Sequence, residues 1–232
     1  MTQGSSARPD SAGDDLLYRQ DDGIGIITFN RPAARNALTF AMYDRLAEIC
    51  RAVAADASLS ALVLIGAGGR AFAAGTDISS FRDIRSPADA LAYERRMSEV
   101  LDAVESCPVP TVAALAGACT GGGAAIAAAC DLRIATRDLK FGFPIARTLG
   151  NCLSVASLAR LTALIGAGRT REIIFTARLI GAEEALAIGL ASEIVEDFAG
   201  VQARALELAR TVAGHAPLTL RATKEALRRL RL

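Results

Sequence analysis

Apolar and polar positions along the chain change period several times, and each change marks an element. Gly23 to Asn30 (GIGIITFN) alternates and is rich in β-formers, which predicts a strand ended by Arg31-Pro32. From Thr39, the expected N-cap, Met42, Leu46, Ile49 and Val53 recur at helical spacing. Leu62 to Ile65 predicts a short buried strand, followed by a turn through Gly66, Gly68 and Gly69. Pro87 opens a second helix, with Leu91, Met97, Val100, Leu101 and Val104 on its expected buried side. Thr111 to Leu115 predicts the next strand, and Gly121-Gly122-Gly123 leads into a small-residue helix, Ala124 to Ala129. Leu132 to Ala135 and Leu139 to Phe141 predict strands. An irregular loop follows Gly142 and Pro144, then a helix carrying Val155, Leu158, Leu161 and Leu164. Helices at Arg169 to Phe175 and Ala182 to Ile188, a strand at Glu193 to Val195 and helices from Val201 and Leu218 complete the pattern. Strands alternating with helices predict an α/β core, and the closing helices predict an appendage.

Composition narrows the class. The chain has 232 residues, 52% of them hydrophobic and 22% charged, which excludes a disordered or fibrous protein. A net charge of +1 gives no electrostatic case for nucleic acid or an anionic membrane. Five cysteines without a Cys-x-x-Cys, and one histidine, argue against a metal site and for reduced thiols in the cytoplasm. Met1 to Asp15 lacks the apolar core of a secretory signal and is expected to be a disordered tail. Pro110 to Cys130 carries no charge, but its alanines and glycines transfer poorly into lipid, so a buried strand and helix are expected instead of a membrane span.

Two glycine patterns invite chemistry. Gly66-Ala67-Gly68-Gly69-Arg70-Ala71 fits the dinucleotide-binding spacing after a strand. That pattern requires a long helix to follow, and Gly75 interrupts any helix there, so the match is rejected. The second pattern is a pair, Ala73-Ala74-Gly75-Thr76-Asp77-Ile78 and Gly121-Gly122-Gly123-Ala124, each after a predicted strand. Two amide donors converging from these segments would make an oxyanion hole; the alternative is that the glycines only permit tight turns. Spacing leaves both readings open.

Asn30-Arg31-Pro32 with Asn36-Ala37-Leu38, then Ala71-Phe72-Ala73-Ala74-Gly75-Thr76-Asp77-Ile78, then Gly121-Gly122-Gly123 ahead of Cys130-Asp131, together resemble the enoyl-CoA hydratase/isomerase (crotonase) superfamily. The resemblance runs from about Gly23 to Lys224. It implies a spiral of ββα units over residues 16–200 and a C-terminal helical region at 201–232, shorter than the family's usual one. It also implies an acyl-CoA thioester as substrate, coenzyme A entering only as part of it, no separate cofactor, and assembly as homotrimers or hexamers. Carried over by position, the oxyanion N–H groups belong to Thr76 and Gly122. Ala37, Leu38, Ala74, Asp77, Ile78 and Gly121 fall along the coenzyme A path, and Arg31, Arg35, Arg70 and Arg82 are phosphate candidates by charge.

The departures matter equally. The two glutamates of the family's hydratases correspond here to Ala125 and Ile145, neither of which transfers a proton. In the loop from Ile145 to Cys152, Asn151 is a candidate to hold a water or carbonyl, or to cap the next helix, and Arg147 to pair with an acidic acyl group. Asp77 is expected to bond neighbouring backbone, Asp131 to cap or orient the next strand, and Cys152 to be a buried inert thiol. Tyr93, Glu94 and Glu99 are expected on a helix roofing the pocket, as a solvated charged face, and His215 is expected to be structural. The reading is therefore a hydratase-like acyl-CoA enzyme. The alternatives are another reaction of the superfamily (isomerisation, decarboxylation or thioester hydrolysis) and a silent CoA-ester-binding subunit.

Overall fold

The computed structural model describes residues 15–78, 85–148 and 150–231. The expected tail up to Asp14, Arg82 and Leu149 lie outside the described residues.

The buried run Ala61–Gly66 forms β3 at the middle of a six-stranded sheet. Its order is β1 (Leu16–Asp21), β2 (Ile24–Phe29), β3, β5 (Thr111–Leu115), β7 (Leu132–Thr136) and β9 (Glu193–Val195). Only β1 runs antiparallel to its neighbour. Side chains alternate along a strand, so Leu62 and Leu64 enter one apolar cluster while Val63 and Ile65 enter another on the opposite face. Burial on both faces explains why these strands are apolar throughout. Helix α6 (Phe198–Ala213) covers the second face with Val201, Ala205 and Ala209.

A second, three-stranded parallel sheet contains β4 (Ala71–Ala73), β6 (Ala118–Thr120) and β8 (Lys140–Gly142). Each follows a strand of the large sheet and precedes a helix: α2 (Pro87–Glu105), α3 (Gly122–Ala129) and α4 (Val155–Thr176). Three successive ββα units therefore wind as a spiral, as expected. Helix α1 (Phe40–Ala52) packs beside α2, α5 (Ala182–Ala187) precedes β9, and α7 (Pro217–Arg231) ends the described chain. Among the described residues no helix is long and apolar enough to cross a membrane.

Local chemistry sets the helix starts. Thr39 caps α1, its Oγ1 accepting from the Met42 amide at 3.3 Å. Ser86 and Asp89 form a reciprocal capping box before α2. Three sequence expectations are corrected. Leu91 is 60% exposed, because the first half of α2 stands clear of the core. Val155 is 84% exposed, because α4 begins on the surface and breaks at Gly166, whose φ is +78°. Asp131 does not cap β7; its Oδ2 accepts from the amide and hydroxyl of Thr111 and from Lys224 Nζ, fastening β5 to α7.

Asn36 is the buried stitch of the loop before α1. Its Nδ2 donates to Ala71 O at 2.7 Å and Ala67 O at 3.0 Å, and its Oδ1 accepts from the Arg31 amide at 2.9 Å. Its φ of +55° suits asparagine better than alanine. Asn36→Ala is expected to lower unfolding free energy by about 3 kcal/mol, from unpaired buried polar groups and left-handed backbone. Guanidinium unfolding measures this; a loss below about 1 kcal/mol contradicts the role.

Candidate active site

Both glycine segments leave short strands of the small sheet at the same end, because β4 and β6 run parallel. Leu38 fixes the first: its amide donates to Gly75 O at 2.8 Å and its carbonyl accepts from the Asp77 amide at 2.9 Å. In such a parallel bridge the intervening Thr76 amide faces the other way. Gly75 has φ +111°, which permits the turn into that bridge. The second segment begins α3. Gly121 N donates to Gly142 O at 3.0 Å, while Gly122 N is one of the helix-initial donors lacking an intrahelical acceptor and carrying partial positive charge.

The two segments touch. Thr120 Oγ1 donates to Ala74 O at 3.0 Å, and a Cβ added to Gly75 would lie 4.0 Å from Gly122 N. A Cβ on Gly122 would fall 2.0 Å from Tyr43 Oη and 3.2 Å from Thr76 Oγ1, so only glycine fits beneath them. Tyr43 Oη and Thr76 Oγ1 are 2.9 Å apart, and Thr76 Oγ1 is 3.3 Å from Tyr93 Oη. Desolvation holds both phenols above the ordinary tyrosine range, so they are neutral hydroxyls at physiological pH.

A cavity of about 270 Å³ opens against these groups, with Thr76, Gly121 and Gly122 in its wall. Ala125 and Ile145, the positions where the resemblance puts glutamates, also line it and are apolar. Met97 and Leu101 of α2 add further apolar lining.

The other sequence-derived candidates divide. Ala74, Ile78 and Asn151 line the cavity. Arg147 is exposed and does not. Asp77 is held from the loop before α1, where Arg31 donates to its carboxylate at 2.7 Å. Arg31 also donates to Ala37 O at 2.7 Å and lies 3.4 Å from Asp15, so its charge is already matched. Leu38 contributes backbone bonds while its side chain is buried, and Arg35 and Arg70 are exposed. Asn151 does not cap α4: Ser154 Oγ accepts from the Ser157 amide at 3.2 Å, three residues later than the capping alternative placed it. Cys152 is exposed at the cavity, not buried. Glu99 and His215 are exposed.

Glu94 was missed as a site residue. It lines the cavity beside Tyr93, and desolvation raises its carboxyl above the ordinary range. Its spacing to Met97 and Leu101, at i+3 and i+7, was the available signal.

Comparison with known proteins settles the family. The enoyl-CoA hydratase/isomerase profile matches residues 19–230. The chain belongs to the enoyl-CoA hydratase/isomerase family. A relative named short-chain-enoyl-CoA hydratase, from Clostridium acetobutylicum, is 32% identical over 92% of this chain and 81% of its own length. Another, named crotonyl-CoA hydratase, from Syntrophomonas wolfei, is 33% identical over 80% of this chain and 70% of its own. The crystal structure of an enoyl-CoA hydratase/carnithine racemase from Magnetospirillum magneticum superposes with a TM-score of 0.88 at 35% identity, covering 94% of this chain and 82% of that one. The dinucleotide alternative fails on the fold itself: Gly66 ends β3, and the strand β4 follows where that motif needs a helix.

All three tyrosines of this family member are held above the ordinary value by desolvation. Above pH about 10 the unfolded chain therefore releases protons that the native state keeps, and stability falls as pH rises from there. Absorbance titration near 295 nm checks this. A phenolate transition at the ordinary midpoint, with native circular dichroism intact, contradicts it.

Proposed function

We propose that this chain is an enoyl-CoA hydratase-like enzyme that polarises an acyl-CoA thioester with the amides of Thr76 and Gly122. The observation that carries the reading is the meeting of two glycine segments at one cavity, each with an amide unused by the local backbone bonds. A thioester oxygen between those amides gains charge as the enolate forms, and helix α3 adds its positive end. One donor in such a hole contributes about 3–4 kcal/mol to the transition state. Backbone around Ala37-Leu38 and from Ala74 to Ile78 lines the coenzyme A path in this reading, with Arg35, exposed at its edge, available to phosphate.

We further propose a trimer or hexamer, supported by the exposed apolar Phe175, Leu218, Leu227 and Leu230 on α4 and α7. Five free thiols fit a reducing cytoplasm.

The apolar Ala125 and Ile145 make slow hydration the expected outcome. Neither place can transfer a proton, so crotonyl-CoA hydration is expected to be slower than that of a relative that divides the acid and base work between glutamates at both places. Loss of the enoyl absorbance measures it. Equal rates contradict the assignment of these positions.

A further inference from the structure

Helix α2 brings an unassigned acid to the cavity. Tyr93, Glu94, Met97 and Leu101 line it from successive turns of the helix. Among the described residues lining the cavity, Glu94 alone carries a carboxyl group, and no described lysine, arginine or histidine accompanies it. The other titratable groups among those described residues are the hydroxyls of Tyr43 and Tyr93 and the thiol of Cys152. Of the two cations that follow it on the helix, Arg95 is exposed and does not line the cavity, and Arg96 is committed elsewhere: its Nε donates to Asp44 Oδ1 at 2.8 Å and its guanidinium lies 4.8 Å above the Phe40 ring.

The turn carrying Glu94 is anchored next to Thr76. Tyr93 Oη lies 3.3 Å from Thr76 Oγ1, and the Tyr93 ring packs on Phe40 with centroids 5.9 Å apart. An acyl thioester whose oxygen meets the Thr76 and Gly122 amides puts Cα one bond, and Cβ two bonds, beyond the carbonyl carbon. The reacting carbons therefore enter the cavity that Ala125, Ile145 and the α2 residues line together.

We infer that Glu94 is the catalytic carboxylate of this site, acting from α2 in place of the two glutamates absent at Ala125 and Ile145. The inference rests on the proposed enolate reading and names its proton carrier. Water oxygen bonds to Cβ while the double-bond pair moves toward the thioester as an enolate held by the two amides. The Glu94 carboxylate takes one proton from that water. The resulting carboxylic acid returns it to Cα as the carbonyl re-forms. Enoyl thioester and water thus become a 3-hydroxyacyl thioester, with Glu94 again ionised. One group serves as base and then as acid, a role that desolvation suits by weakening the acid.

Wild type, Glu94→Gln, Glu94→Asp and the exposed-site control Glu99→Gln are compared with crotonyl-CoA. The assays follow loss of enoyl absorbance and, in D2O, deuterium at Cα of the product; binding of butyryl-CoA is measured separately. Glu94→Gln is expected to lower kcat at least about 100-fold, with KM and butyryl-CoA affinity within about threefold. Glu94→Asp is expected to recover part of the rate, and Glu99→Gln to match wild type. The wild-type rate should rise with pH through a midpoint above the ordinary carboxylate range, a limb missing in Glu94→Gln. Wild-type turnover that survives Glu94→Gln within threefold overturns Glu94 and leaves the enolate reading standing. Butyryl-CoA binding with neither hydration nor Cα deuteration in wild type overturns both.

Discussion

The site depends on close approach of two stretches of bare backbone. Gly75 and Gly121 stand so near that a Cβ on Gly121 would lie 3.6 Å from Gly75 Cα. Thr120 Oγ1, bonded to Ala74 O, closes the same gap one residue earlier. Both glycines also hold positive φ, +111° and +53°, so a side chain at either would strain the turns that carry Thr76 and Gly122. Everything else near the cavity serves this contact: Leu38 grips the first exit, α3 starts at the second, and Tyr43 lies over both.

The spiral explains how such distant residues meet. Each ββα unit contributes one strand to each sheet, so consecutive units stack equivalent turns side by side. The turn after β4 carries Gly75-Thr76, and the turn after β6 carries Gly121-Gly122. Main-chain amides held by strand and helix ends are rigid without side-chain entropy to lose. In the proposed reading these amides would act whatever acids surround them, and Ala125 and Ile145 leave the cavity wall apolar while the turns are kept.

Much of this was legible in the chain because the large sheet is buried on both faces. Ala61–Gly66 and Thr111–Leu115 are apolar runs bounded by turns, and β9 matches its predicted limits. The strands β4 and β6 escaped because Ala71–Ala73 and Ala118–Thr120 sit in stretches of alanine and glycine, which carry little strand preference. Strand β1 escaped because, as an edge strand, its LLYRQD sequence is mostly exposed. The site failed in one direction: Glu94 reads as solvated because α2 is polar overall, yet this helix roofs a cavity instead of a core. Asn151 reads as a cap on the same kind of local evidence, but the chain stays irregular to Ser154, which leaves Asn151 and Cys152 at the cavity.

The proposed chemistry turns on contact between one oxygen atom and two N–H groups. Isotope-edited infrared difference spectroscopy of bound crotonyl-CoA carrying 13C at the thioester carbonyl reads it most directly. Two converging donors should move that carbonyl stretch to clearly lower frequency than in water. A bound thioester whose stretch stays at or above its value in water would mean that the amides of Thr76 and Gly122 do not meet it.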